Sequence, residues 1–207
     1  MDKIAFALSG DSRDSSKLHD LRRMFDGKRT WVTPTLASLR ALDAARTVDY
    51  AARLQSPEMS YVDSATLSYW RSLSGARPSR PPSSFYLYQI EVLKTLRKTD
   101  TRFLLGTDEG NPLMVAGFSA LDELETLVCD GGFSPYDALA TATRNVGDFL
   151  GDPTTGRIVR GARADLILVD GVPLVDLAVL RHPAGVMIKG KWLDRSTLDH
   201  MLESARQ

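Results

Sequence analysis

The sequence predicts an α/β fold, and three observations carry that prediction. Helical apolar periodicity twice gives way to a short apolar run, the helix-then-strand rhythm of parallel α/β architecture. One of those runs, Phe103-Leu104-Leu105-Gly106-Thr107-Asp108-Glu109-Gly110, passes from apolar residues into a Gly, a Thr and a carboxylate. A buried parallel strand ends in this way when it presents a catalytic group at its C-terminal edge. From Thr155 onward the texture changes to short strands and turns, which marks a second, β-rich module.

The elements follow in order. Ile4–Leu8 is apolar but too brief to be decided as a strand. Leu18, Leu21, Met24 and Phe25 recur at helical spacing behind the start signal Asp14-Ser15-Ser16, and Gly27 stands where that helix would stop. Trp31-Val32-Thr33-Pro34-Thr35-Leu36 predicts a strand; Pro34 removes a ladder donor, so it should finish there or form an edge. Leu39, Leu42, Ala45, Val48 and Ala52 form the stripe of a second helix reaching about Leu54.

Residues 56–84 carry Pro57, Gly75, Pro78, Pro81 and Pro82, a composition expected of an insertion loop, more often a lid or binding loop than a core element. Its aromatics Tyr61, Tyr69 and Trp70 either line a pocket or cover the core, with the second favoured. Phe85 to Lys98 returns to helix through Tyr88, Val92, Leu93 and Leu96 and delivers the chain to Phe103–Gly106.

A helix is expected from Ser119, with Asp122 and Glu123 near its positive end, and another from Ser134-Pro135, where Pro fits the first turn. Asn145 to Leu150 closes the helical region before Gly151. Strands are then expected around Gly156-Arg157-Ile158, Ala164–Val169, Val186–Ile188 and the segment to Trp192. The expected division is residues 1–154 and 155–207.

Lys plus Arg balances Asp plus Glu at 26 each, so charge gives no reason to propose nucleic acid or an anionic membrane as partner. A small-molecule partner fits better. The single cysteine, Cys129, excludes an internal disulfide and suits a reducing compartment. Its setting predicts a helix end packed on the core. No apolar run approaches bilayer length, and the start of the chain lacks a cleavage pattern, so a soluble, unexported, cytoplasmic protein is expected.

Four segments, in order, resemble the C-terminal half of the amidohydrolase superfamily, most closely its imidazolonepropionase-like branch. They are Trp31–Leu36; Leu104-Leu105-Gly106-Thr107-Asp108; Ala138-Leu139-Ala140-Thr141-Ala142-Thr143-Arg144-Asn145; and the run from Gly156 to Asp170. The resemblance implies about the last two strand-helix units of a metal-dependent hydrolase (β/α)8 TIM barrel, with part of a small β-sandwich in 155–207. It makes Trp31–Leu36 the seventh barrel strand and Phe103–Gly106 the eighth. It also implies hydrolysis of carbon–nitrogen bonds other than peptide bonds, a divalent metal such as zinc, and Asp108 as catalytic carboxylate and metal ligand. The chemical reason is that a metal lowers the pKa of bound water while the carboxylate carries its proton to the leaving amine. Thr107 and Glu109 would shape the loop.

The family's site also needs histidines on earlier strands, as neutral nitrogen ligands. This chain has three, His19, His182 and His200, each expected to be solvated rather than ligating. Leu121-Asp122 stands where the branch often has a His-acidic pair. Asp122 and Glu123 are expected as dipole partners at the surface, Asn145 as a helix cap, and Asp165 as a structural turn residue. The expectation is a truncated chain without activity of its own; alternatives are a non-catalytic remnant or interaction module, or one part of a split barrel. An incomplete barrel leaves strand edges unpaired, so self-association or a partner supplying the missing strands is expected.

Overall fold

The computed structural model describes residues 15–45, 47–75, 78 and 82–207; the strand considered at Ile4–Leu8, and Asp14 of the first start signal, lie outside them. Helix α1 (Ser15–Phe25) ends as expected before Gly27, whose φ is +71° and whose N–H donates to Asp100 Oδ2 at 3.0 Å. It leads to β1 (Trp31–Val32), which pairs in parallel with β2 (Arg102–Phe103). The ladder is flanked by Arg102 N–H to Thr30 O at 2.9 Å and Leu104 N–H to Val32 O at 3.0 Å.

Both strands are shorter than expected. Pro34 has no N–H, Thr35 is left-handed at φ +51°, and Leu36 already begins a helix, so the chain leaves the ladder after Val32. On the other side Leu105 turns its N–H away, to Thr141 O at 3.1 Å.

Between the strands run α2 (Leu36–Asp43), α3 (Val48–Arg53), a 3₁₀ turn (Pro57–Tyr61), α4 (Ser64–Ser72) and α5 (Ser84–Leu96). The single helix expected to Leu54 is therefore two. Thr47 breaks it by capping α3, its Oγ1 accepting the Tyr50 N–H at 3.3 Å while donating to Ala44 O at 2.6 Å. The break shifts the phase: Leu42 and Val48 are exposed, and Leu36, Ala37, Ala41 and Tyr50 are buried instead.

The 56–84 segment is not a loop in its described part. Asp63 Oδ1 caps α4 by accepting the N–H groups of Ala65 and Thr66. Trp70 and Met59 are buried, and Tyr61 stacks on Phe118 with ring centroids 5.2 Å apart. Covering the core is thus the role of Trp70 and Tyr61; Tyr69 is exposed.

After β2 come α6 (Phe118–Cys129), α7 (Pro135–Ala142) and α8 (Arg144–Leu150). Helix α6 starts one residue before Ser119, behind Gly117 at φ +79°. Ser134 caps α7 with Pro135 in the first turn, and Gly151 ends α8 in the left-handed region, both as expected. Cys129 does lie at a helix end, but it is exposed rather than packed.

One core cluster gathers Leu36, Tyr86, Leu93, Leu96, Phe103, Leu124, Leu127 and Phe133 around β2, with Phe103 and Phe133 edge-to-face at 5.4 Å. A second lies under α2, α3 and α4 and takes in Leu113, Met114 and Val115 from the segment after β2.

The C-terminal module is an antiparallel sheet of β3 (Leu166–Leu168), β4 (Gly185–Ile188) and β5 (Lys191–Asp194), in that order. Its tight turn is Lys189-Gly190, both at positive φ, the geometry that suits the twist of a two-residue hairpin. Asp165 has the structural role expected of it, accepting the Lys189 N–H at 2.6 Å and pairing with Arg163. Gly156-Arg157-Ile158 forms no strand. Helix α9 (Arg195–Ser204) was not expected; its signal is Asp194, which accepts the Thr197 N–H at 2.8 Å. No helix among the described residues is long and apolar enough to cross a membrane.

Candidate functional site

The parallel pair fixes where chemistry could be placed. Leaving β1 and β2 at the same edge are two turns, Thr33-Pro34-Thr35 and Gly106-Thr107-Asp108. They touch: a Cβ on Gly106 would collide with the Thr33 side-chain methyl, so any larger residue there would force Thr33 to move. Asp108 is exposed and sits in the left-handed region at φ +55°, which Asp tolerates better than most residues. Asn111 holds it there, donating through Nδ2 to Asp108 Oδ2 at 2.5 Å and to the Asp108 carbonyl at 3.2 Å, with its own N–H on that carbonyl at 3.3 Å. The expected shaper Glu109 forms an isolated bridge with Asn111.

Asn145 is not a helix cap. From the first turn of α8 its Nδ2 donates to Phe103 O at 2.9 Å. With Leu105 N–H on Thr141 O, this ties the end of β2 to the α7–α8 junction. Asn145→Ala leaves the Phe103 carbonyl short of a partner and should cost about 1–2 kcal/mol in a urea titration.

The acids of α6 depart furthest from expectation. Asp122 and Glu123 fall in the second turn of the helix, since it begins at Phe118, and neither is a surface dipole partner. Asp122 bridges two arginines, Arg181 at 2.7 Å and Arg53 at 3.0 Å, and Arg181 also reaches Glu125 at 3.0 Å. Those two carboxylates raise the Arg181 guanidinium despite a burial cost. The cluster borders a cleft of about 500 Å³ that includes Leu113 and Val115 but not Asp108.

Glu123 is wholly buried, and its two oxygens accept the N–H groups of Leu36 at 3.0 Å and Ala37 at 2.6 Å. It thus satisfies donors at the start of α2, which Thr35 does not cap with its side chain. Burial pushes its carboxyl up to about 7, against the lowering by those two N–H groups. A pKa raised on folding adds stability that is full below the unfolded value, about 4.5, and is lost as pH rises through about 7. Folding stability should therefore fall by roughly 3 kcal/mol across that window. Glu123→Gln should flatten this part of the profile, as chemical denaturation at a series of pH values would read.

The three histidines are exposed, on α1, after the 3₁₀ turn Leu177–Arg181, and on α9. Among the described residues no three of His, Cys, Asp and Glu are grouped so that they could hold a metal ion. Asp108 supplies one carboxylate, already engaged by Asn111, whereas a zinc centre needs three or four ligands. The described residues by themselves do not fit a metal.

The amidohydrolase family model matches residues 89–193, which include β2, Asp108, the acids of α6 and the C-terminal sheet. Among solved structures, a provisionally named prolidase from Bifidobacterium longum is similar at 24% identity and TM-score 0.55, over 93% of this chain and 44% of that one. A bottromycin amidohydrolase is similar at 23% identity and TM-score 0.59, over 94% of this chain and 45% of that one. The chain thus spans a little under half the length of these two structures. No curated protein sequence matches it. The family match covers about half of the chain and includes the strand-end carboxylate, and both structural likenesses extend along nearly all of it: the chain belongs to the amidohydrolase family.

Proposed function

We propose that this chain contributes the C-terminal part of a hydrolase of carbon–nitrogen bonds other than peptide bonds, and that it is not active alone. In this reading β1 and β2 are the seventh and eighth strands of a (β/α)8 barrel within residues 1–154, and β3–β5 belong to a small sandwich within 155–207. Asp108 is the carboxylate of the last strand. It would be one ligand of a divalent metal, zinc by the resemblance, whose other ligands come from outside the described residues, and its own part is to move a proton between water and the leaving nitrogen.

The observation that carries this reading is the placement of Asp108 in the turn past a parallel strand, a turn whose Gly106 packs on Thr33 just past the neighbouring strand and whose Asp108 is pinned by Asn111. Its support from the comparisons is the family match over 89–193 and a chain that spans under half of two structures sharing the fold. A small-molecule substrate, and self-association or a partner bearing the remaining strands, follow from the same proposal.

A second reading, a non-catalytic remnant or interaction module, is favoured by one observation: no metal-holding group forms among the described residues. The experiment supplies zinc to the purified chain, alone and together with a histidine-bearing polypeptide that completes the barrel, and screens amides for hydrolysis. The expected result is no turnover alone, turnover when completed, and a loss of about 100-fold or more on Asp108→Asn. Hydrolysis by the isolated chain would overturn the proposal, and no turnover after completion would favour the second reading.

A further inference from the structure

At the start of β2 a cleft of about 290 Å³ carries three arginines: Arg97 just after α5, Arg102 opening β2, and Arg144 at the start of α8. Asp137 of α7 is the one carboxylate on its wall, and that carboxylate accepts from Ser134 Oγ at 2.7 Å. The adjoining cavity that shares Arg102 holds Asp148, which is paired with Arg157. Among the described residues Arg97, Arg102 and Arg144 therefore make no ion pair, and the cleft wall carries two positive charges in excess.

An arginine without a carboxylate is ordinarily a loose, solvated group, but each of these is held on an aromatic face. Arg97 lies over Phe133 at 4.3 Å, Arg102 over Trp31 at 5.3 Å, and Arg144 over Tyr136 at 5.5 Å. Stacking occupies the flat face of a guanidinium and leaves its in-plane N–H groups for another acceptor. Few of those are engaged. Arg97 directs Nη1 to the carbonyls of Gly131 and Gly132, Arg144 directs Nη1 to the Tyr136 hydroxyl oxygen, and the Arg102 side chain donates to nothing among the described residues.

We propose that this cleft binds the terminal phosphoryl group of a small molecule. Such a group carries about −1.5 to −2 charge at neutral pH, which matches the excess on the cleft wall, and its oxygens suit the forked donors of arginine. Because the rings already restrain the guanidiniums, less freedom is lost when they close on an anion. A carboxylate brings only one charge. A phosphodiester also brings one, together with a second ester arm that the recess has to admit. The inference does not rest on hydrolysis at Asp108, which lies outside the cleft and follows the opposite end of β2.

Titration of the full chain with methyl phosphate at pH 7.5 and constant ionic strength tests this, followed by the NMR signals of the arginine Nε–H groups. The signals of Arg97, Arg102 and Arg144 should shift saturably with one dissociation constant, while that of Arg23 on α1 stays level. Dimethyl phosphate and acetate, each with a single charge, should bind about tenfold more weakly. Arg102→Gln and Arg144→Gln should each weaken methyl phosphate about tenfold, whereas Arg23→Gln, which removes the same charge elsewhere, should not. Absence of a saturable shift in the wild type overturns the proposal, and that series needs no variant to fold. Equal affinity for dimethyl phosphate or acetate overturns the assignment to a terminal phosphoryl group. Unchanged binding in both cleft variants, or an equal loss in Arg23→Gln, overturns the site by reducing it to general charge attraction.

Discussion

Glu123→Ala is expected to remove about 4 kcal/mol of folding stability at pH 5 and about 2 kcal/mol at pH 8. The side chain accepts from two buried N–H groups, those of Leu36 and Ala37, at the uncapped start of α2. Each buried donor left without a partner costs about 1–3 kcal/mol, and truncation at a wholly buried position adds a cavity that its surroundings fill only in part. The loss is smaller at high pH because the wild-type carboxyl is then ionised and itself costly to bury. Against the roughly 5–15 kcal/mol typical of a domain, the acid-side loss would unfold a marginal chain. Urea titrations of both proteins at the two pH values measure the difference. An equal loss at pH 5 and pH 8 would mean that the buried carboxyl does not change its charge between them.

The role of Glu123 escapes a reading of the sequence for a physical reason that also marks what is legible there. Local signals are dependable where the partner lies within a few residues. Ser134-Pro135 announces a capped helix, Gly27 and Gly151 announce helix ends, and Gly106-Thr107-Asp108 announces a turn at the end of a parallel strand. Asp194 and Thr47 are caps of the same kind. They are legible in principle, but Asp194 falls beyond the last element expected from the sequence, and Thr47 lies inside a periodicity strong enough to suggest one continuous helix. Glu123 differs in kind. An acid near a helix start is ordinarily a solvated dipole partner, and nothing in the neighbouring residues says that a second helix will bring two bare N–H groups to it.

The strands show the same limit from the other side. Six residues from Trp31 to Leu36, and the apolar run from Phe103, have strand composition, yet each pairs over only two residues. Strand length depends on the neighbours available to accept a ladder, and here β1 and β2 have only each other among the described residues. The site is legible to a similar degree: the position of Asp108 follows from local sequence, while its restraint by Asn111 and the tie from Asn145 to Phe103 depend on how the chain folds back.

Gly156→Val tests that long-range support and is expected to cost about 3–4 kcal/mol. Gly156 lies at φ +71°, a region that a β-branched residue occupies only under strain. Strain of that kind contributes about 1–2 kcal/mol. Steric collision contributes more, because a Cβ at this position would meet the Thr143 carbonyl and the Arg144 nitrogen, which are backbone atoms and cannot rotate aside. Thr143 is the junction at which α7 ends and α8 begins. Displacing it moves Thr141 O away from the Leu105 N–H and the Asn145 side chain away from Phe103 O. The disturbance should therefore reach the end of β2, so that the Leu105 amide exchanges faster in Gly156→Val even where the rest of the fold persists. Gly161→Ala supplies the comparison: Gly161 also has positive φ, at +85°, but open space where its Cβ would stand, so it should cost only about 1 kcal/mol and leave Leu105 protected. If both variants lose the same stability, backbone strain alone accounts for Gly156 and the α7–α8 junction gives no support toward Asp108; a larger loss in Gly156→Val, with exchange at Leu105, identifies that junction as the support behind the strand-end turn.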